Sequence, residues 1–209
     1  VAFHSGLPVP GGFIGVDVFF VISGFVISGM LQREWATTGR IRFGTFYLRR
    51  FKRLTPALAL MITVTMIVSV FTLSPMGPLQ TGAKTAVGAM LLAANFVISR
   101  VTGDYFAASV ETNSLLHTWS LSVEEQFYLV FPALIAFGWH LSGKSRRLRA
   151  SPVVMVSAVA IGSFALTLLG ASGFAVRGSR IVLGFYSSFT RAWEFAVGAL
   201  LALAIGRAQ

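Results

Sequence analysis

Six apolar stretches, each close to the ~20 residues that a helix needs to cross the hydrocarbon core of a bilayer, constrain this chain more than anything else in it. By that ruler they fall at 13–32, 54–74, 82–99, 121–141, 153–173 and 190–206. Composition agrees, since 55% of the 209 residues are hydrophobic and only 11% are charged, which is too apolar for a soluble domain of this size. The expected fold class is therefore all-α, a polytopic transmembrane helix bundle of about six spans. Val1-Ala2-Phe3 reads as the last turn of a further helix whose start is missing, and the chain is expected to be a fragment at both ends.

Charge sets the expected topology. Lys and Arg outnumber Asp and Glu by 17 to 7, which in such a chain points to cytosolic loops facing anionic lipid and excludes nucleic acid as the partner. The loop from Arg33 to Arg53 holds seven basic residues against Glu34 alone and is placed in the cytosol. Counting six crossings from that anchor puts Lys144-Ser145-Arg146-Arg147-Leu148-Arg149 outside, against the same rule. The weakest member of the set is 82–99, which is short and carries Lys84 and Asn95, so either it is not a full crossing or part of 100–120 re-enters the membrane. Small residues such as Gly198, Ala199 and Ala202 point to close helix packing.

Chemistry concentrates in four places. His4 is followed by the chain-breaking Pro8, Pro10, Gly11 and Gly12, after which Asp17 opens a span. A tight hairpin there brings carboxylate and imidazole together, fixes the ring tautomer, and leaves one nitrogen free as a base toward a hydroxyl. Arg50 and Arg53 stand at helical i, i+3 spacing in a basic juxtamembrane run and form a two-pronged guanidinium clamp suited to phosphate. His117, Ser120, Glu124 and Tyr128 form a polar stripe if the segment is helical, and an intramembrane carboxylate such as Glu124 is costly unless it is used or paired. Arg191 and Glu194, again at i, i+3, read as an ion pair, and His140 as an interfacial residue.

Metal chemistry has little support. With no cysteine there is no thiol nucleophile, thiolate ligand or disulfide, and the three histidines are scattered without a His-Glu-x-x-His spacing. No Walker-type glycine loop is present either.

Four segments together resemble the acyltransferase family 3 of bacterial integral-membrane O-acyltransferases, of the type often fused to an SGNH domain. They are His4 with Gly-Gly-Phe-Ile-Gly-Val-Asp-Val-Phe-Phe-Val-Ile-Ser-Gly-Phe at 11–25, Tyr-Leu-Arg-Arg-Phe-Lys-Arg-Leu-Thr-Pro-Ala-Leu at 47–58, His-Thr-Trp-Ser-Leu-Ser-Val-Glu-Glu-Gln-Phe-Tyr at 117–128 and Thr-Arg-Ala-Trp-Glu at 190–194. The resemblance implies that residues 1–209 are part of an acyltransferase membrane domain, truncated at both ends and without its SGNH domain. It implies a multi-pass protein of the bacterial inner membrane that moves an acyl group, usually acetyl, from acetyl-CoA to a hydroxyl of a cell-surface glycan or lipid-linked sugar. Acetyl-CoA would be a donor substrate and not a resident cofactor. Acceptors in such a family range from lipopolysaccharide O-antigen to peptidoglycan and exopolysaccharide.

On this reading His4, Asp17 and Glu124 are catalytic. Arg50 and Arg53 hold the donor, while His117, Ser120, Tyr128, Arg191 and Glu194 are further cavity candidates. A proton-coupled transporter using His4, Asp17, His117 and Glu124 is the alternative from another class, and it leaves the arginine clamp unexplained.

Overall fold

The structure, a computed structural model, describes residues 14–101, 113–144, 151–172 and 180–208. His4, the proline and glycine turn after it and the basic run beyond Lys144 lie outside the described residues. Among those described, all regular structure is helical: α1 (Ile14–Thr38), α2 (Phe43–Thr72), α3 (Pro78–Met90), α4 (Ala94–Val101), α5 (Thr118–Lys144), α6 (Ser151–Ala171), α7 (Arg180–Leu183) and α8 (Ser188–Ala208). Five stretches are long and apolar enough to cross a membrane, namely α1, α2, α5, α6 and Ile181–Gly206, which takes in α7 and α8. Large apolar side chains such as Val18, Ile22, Val26, Val64, Phe71 and Ile161 are exposed along them. A soluble monomer rarely tolerates apolar patches of that extent, whereas lipid solvates them. The protein is a multi-pass helical membrane bundle.

The expected span at 82–99 does not form. It breaks into α3 and α4 at Leu91-Leu92-Ala93, where Leu92 adopts the left-handed φ of 55°, and the two pieces, about 20 and 12 Å long, are each too short to cross. Side chains of α5 hold the break open. The Gln126 amide donates to the Leu92 carbonyl at 2.7 Å, and the Ser122 hydroxyl accepts from the Ala94 N–H at 3.1 Å, capping α4 as a local N-cap residue would. Gly88 lets the two arms close up, for a Cβ there would lie 2.8 Å from Val97 and 3.2 Å from the Ala94 backbone.

Helix directions confirm that α3 and α4 do not add a crossing. The described helices pack as two units, one of α1 with the C-terminal half of α5, most of α6 and most of α8, the other of α2 to α4 with the start of α5, the end of α6, α7 and the first residues of α8. In the first unit α1 and α8 run parallel: Phe20 stacks on Phe195, Gly198 abuts the Val21 backbone and Gly206 meets Gln32. In the second unit α2 and α5 run antiparallel, because Tyr47 bonds the Leu129 carbonyl while Arg50 reaches Glu125. A sixth crossing between α2 and α5 would reverse both relations. Stacking of Trp35 on Trp139, ring centroids 5.3 Å apart, also sets the C-terminal ends of α1 and α5 at one level.

With five crossings, the α5–α6 connection faces the same side as the α1–α2 connection, and the positive-inside rule is obeyed at both. Of the two readings left open for 82–99, the described helices favour the one in which it is not a full crossing; the basic run at 145–149 itself lies outside the described residues. The α3–α4 hairpin then enters and leaves from the opposite, extracytoplasmic side, its backbone polar groups sheltered by α5.

Candidate functional site

A polar interior site belongs to the second unit and is built where α2 passes α5. Arg50 lies seven residues into α2 on the side of the helix that faces α5, where its guanidinium is three-quarters buried. It turns onto α5. Its Nε donates to both Glu125 carboxylate oxygens at 2.8 and 3.0 Å, and Nη2 donates to Oε1 at 2.6 Å. Such a forked, charge-assisted contact is among the strongest polar pairings available to side chains. The guanidinium carbon also stands 3.4 Å from the Tyr128 ring centroid, close enough for a cation–π contribution.

Glu124 completes the cluster from behind. It is buried at 8% exposure, accepts the Tyr128 hydroxyl at 3.0 Å, and lies 3.7 Å from Arg50 Nη2. One guanidinium thus faces two carboxylates, a formal charge of −1 if both are ionised. One half of the expected clamp, Arg50, is thus engaged by the acids of α5. Arg53 is exposed on the same helix, as are Arg49 and Lys52, and among the described residues none of these three has an acidic partner. The sequence reading of Glu124 as the intramembrane acid overlooked Glu125, the residue that binds Arg50. The two adjacent acids near the start of a span signal the need for a cation, though local spacing does not say which cation supplies it.

Beside the cluster is a cavity of about 400 Å³ lined by Phe51, Leu54, Thr55 and Leu58 from α2, by Met90 to Leu92 from the hairpin turn, and by Glu125, Gln126 and Leu129 from α5. Arg50, Tyr47 and Tyr128 also border it. Glu125 lines it where Glu124 was expected. Its mixture of an apolar wall and a few fixed polar groups is the usual make-up of a small-molecule pocket. Gln126 is held rigidly by donating to Asn95 Oδ1 at 2.9 Å and accepting from the Ser188 hydroxyl, while Asn95 donates to the Tyr186 carbonyl at 3.1 Å. Sequence reasoning missed this carboxamide network because Asn and Gln carry no charge pattern.

The remaining candidates separate. The helix starts at Thr118, so His117 sits in the preceding turn, exposed, and the expected four-residue stripe shortens to Ser120, Glu124 and Tyr128. Ser120 bonds back to the His117 carbonyl at 3.1 Å. Arg191 donates to the Phe185 carbonyl at 3.1 Å, stands 4.1 Å over the Phe185 ring and faces Trp119 at 5.9 Å, so the third and fourth sequence segments do meet. Glu194 is fully buried in the other unit. Asp17 is in the first turn of α1, partly exposed, where the helix dipole favours an anion. Whether it meets His4 concerns a residue outside those described.

A family model described as an acyltransferase domain matches residues 1–208. The chain belongs to that acyltransferase family. It is similar to the peptidoglycan O-acetyltransferase OatA of Listeria monocytogenes, 32% identical over 207 residues that make up 97% of this chain and 31% of the relative. It is also similar to the O-acetyltransferase OatA of Staphylococcus aureus, 42% identical over 131 residues, 62% of this chain and 21% of the relative. The chain therefore spans less than a third of the length of these curated relatives. No solved structure matches it.

Proposed function

We propose that this chain is the membrane portion of a bacterial inner-membrane O-acetyltransferase that moves an acetyl group from cytosolic acetyl-CoA to a hydroxyl of a cell-wall glycan. The observation that carries the proposal is the coverage of almost the whole chain by a relative named for peptidoglycan O-acetylation. The make-up of the α2–α5 site supports the donor half of this reading. Its apolar wall of Phe51, Leu54 and Leu58 suits a thioester arm, and the exposed Arg49, Lys52 and Arg53 stand ready for nucleotide phosphates. Arg50 acts in this scheme by fixing Glu125 and Tyr128 at the cavity wall.

In the reaction His4, oriented by Asp17, removes the proton of the acceptor hydroxyl as its oxygen attacks the thioester carbonyl. The C–S bond breaks, coenzyme A leaves as thiolate, and the proton held on His4 is passed on to restore the base. Such base assistance is typically worth ~10²–10⁴-fold in rate. The transporter alternative has no comparable support from the relatives.

The test uses membranes carrying the full-length protein, acetyl-CoA labelled in its acetyl group and cell-wall glycan. Alkali-labile label should appear in the glycan and fall at least a hundredfold with His4→Ala. Unchanged labelling in that variant, or none with the native protein in the presence of donor and acceptor, overturns the proposal.

A further inference from the structure

Among the described residues, six polar side chains border the α2–α5 cavity, and five of them are already committed within the protein. Tyr47 donates to the Leu129 carbonyl at 2.8 Å and Tyr128 to Glu124 at 3.0 Å. Arg50 and Glu125 are forked together, and the Gln126 amide is taken up by Leu92, Asn95 and Ser188. The sixth is Thr55, half-buried in an otherwise apolar strip of wall formed by Phe51, Leu54 and Leu58.

A helical threonine readily returns its hydroxyl to the carbonyl four residues back, as Thr37, Thr72 and Thr85 do here at 2.9 to 3.0 Å. Thr55 makes no such bond and has no other hydrogen-bond partner among the described residues. A hydroxyl on an apolar wall is unfavourable without an acceptor, so Thr55 is the polar group of this cavity that is left for a ligand. Depth along α2 narrows what that ligand presents. Thr55 stands only about 3 to 9 Å further along the helix axis than Arg53, Lys52 and Arg49. A donor whose phosphates rest on those cations brings to Thr55 the part of its arm nearest the phosphates. In acetyl-CoA that part is a gem-dimethyl group followed by the first amide of pantetheine, and the thioester lies a second amide and four methylenes beyond.

We propose that Thr55 binds the acyl donor, its hydroxyl donating to the amide carbonyl of the pantetheine arm that is nearer the phosphates, with the gem-dimethyl group against Phe51 and Leu54. This rests on acetyl-CoA being the donor. Thr55 fixes the path of the arm between α2 and α5 and takes no part in the bond changes at the thioester.

The test measures acetyl transfer in membranes carrying the full-length protein, with Thr55→Val to remove the hydroxyl at nearly constant shape and Thr55→Ser to return it. Thr55→Val should raise the KM for acetyl-CoA about three- to ten-fold, the range of one lost neutral hydrogen bond. Its kcat should stay within about twofold, because a contact made equally before and during the reaction leaves kcat unchanged. Thr55→Ser should recover most of the native KM. As competitive inhibitors, pantetheine should weaken by the same factor in Thr55→Val, while the adenosine bisphosphate half of coenzyme A, which carries phosphate without the arm, should keep its Ki. An unchanged KM in Thr55→Val, a loss confined to kcat, no rescue by Thr55→Ser, or an equal rise in Ki for the bisphosphate overturns the assignment of Thr55 and leaves the acyl-transfer reading in place. A native protein that transfers no acetyl from acetyl-CoA overturns both.

Discussion

Arg50 and Glu125 do not contribute equally to stability, and the difference follows from counting charge. Both are largely buried, with side-chain exposures of 25% and 10%. Arg50→Gln removes the cation that Glu124 and Glu125 share, while the Tyr128 hydroxyl stays as a donor to Glu124. Removing one partner of a fully buried pair costs about 3–5 kcal/mol, and a fully exposed pair is worth under about 1 kcal/mol. With Arg50 a quarter exposed, about 3 kcal/mol is expected for Arg50→Gln. Glu125→Gln leaves Arg50 with Glu124 at 3.7 Å, a formal charge of zero, and should cost only about 1 kcal/mol because that carboxylate takes over the attraction. In the double variant Glu124 keeps its Tyr128 bond, so a total near 2 kcal/mol and a coupling of about 2 kcal/mol are expected. Reversible unfolding in mixed micelles, followed by tryptophan fluorescence, measures all three. Equal costs for the two single variants, or additivity within about 0.5 kcal/mol, would refute the assignment of the cluster.

Gln126→Leu should destabilise by about 2–4 kcal/mol, since it removes the donor to the Leu92 carbonyl and to Asn95 Oδ1 inside the protein. Hydrogen exchange of the 88–95 amides should rise before global unfolding. Gly24→Val drives a side chain into the Phe195 backbone on α8 and should cost more than about 3 kcal/mol, whereas Gly15→Ala, with nothing within 4 Å, should be neutral within about 0.5 kcal/mol by the same unfolding measurement. Because the chain has no cysteine, single cysteines at Thr38, Met76, Ser142 and Ser172 can report topology with a membrane-impermeant thiol reagent in intact cells. Met76→Cys and Ser172→Cys should label from outside and the other two only after lysis, and external labelling at Ser142→Cys would restore the six-span arrangement.

Much of the fold was legible because a bilayer imposes one length on every crossing. Five apolar stretches obeyed that rule and became α1, α2, α5, α6 and the stretch ending in α8. The sixth obeyed it in hydropathy and failed for a reason no window average contains. Thr85, Asn95 and the Leu92 backbone need polar partners, and they find them in Asn113, Gln126 and Tyr186, residues 28 to 91 positions away. Lys84 and the charge of residues 144–149 hinted at the break, since only a non-crossing hairpin lets the basic run obey the positive-inside rule. At the site, local spacing identified the Glu124–Tyr128 pair, because i, i+4 is fixed by the helix itself. It could not find the Arg50–Glu125 pair, which depends on how two helices 75 residues apart are set against each other.

The allocation of the arginines on α2 shows the limit of spacing as a guide to shared function. Residues advance about 100° each around a helix, so Arg49, Lys52 and Arg53 fall within an arc of about 100° while Arg50 stands about 60° beyond it. That offset is small enough to make Arg50 and Arg53 neighbours on paper, yet it is the boundary between α5 and the exposed surface. On the exposed side a cation remains hydrated and available to a phosphate. On the α5 side the same guanidinium meets two carboxylates in a partly dehydrated site, where opposite charges attract more strongly, and a phosphate would have to displace Glu125 to reach it. Binding of an anionic donor and support of the α2–α5 contact are therefore separable properties of adjacent residues. Loss of Arg53 bears on the first and loss of Arg50 on the second, although the sequence writes them as a single motif.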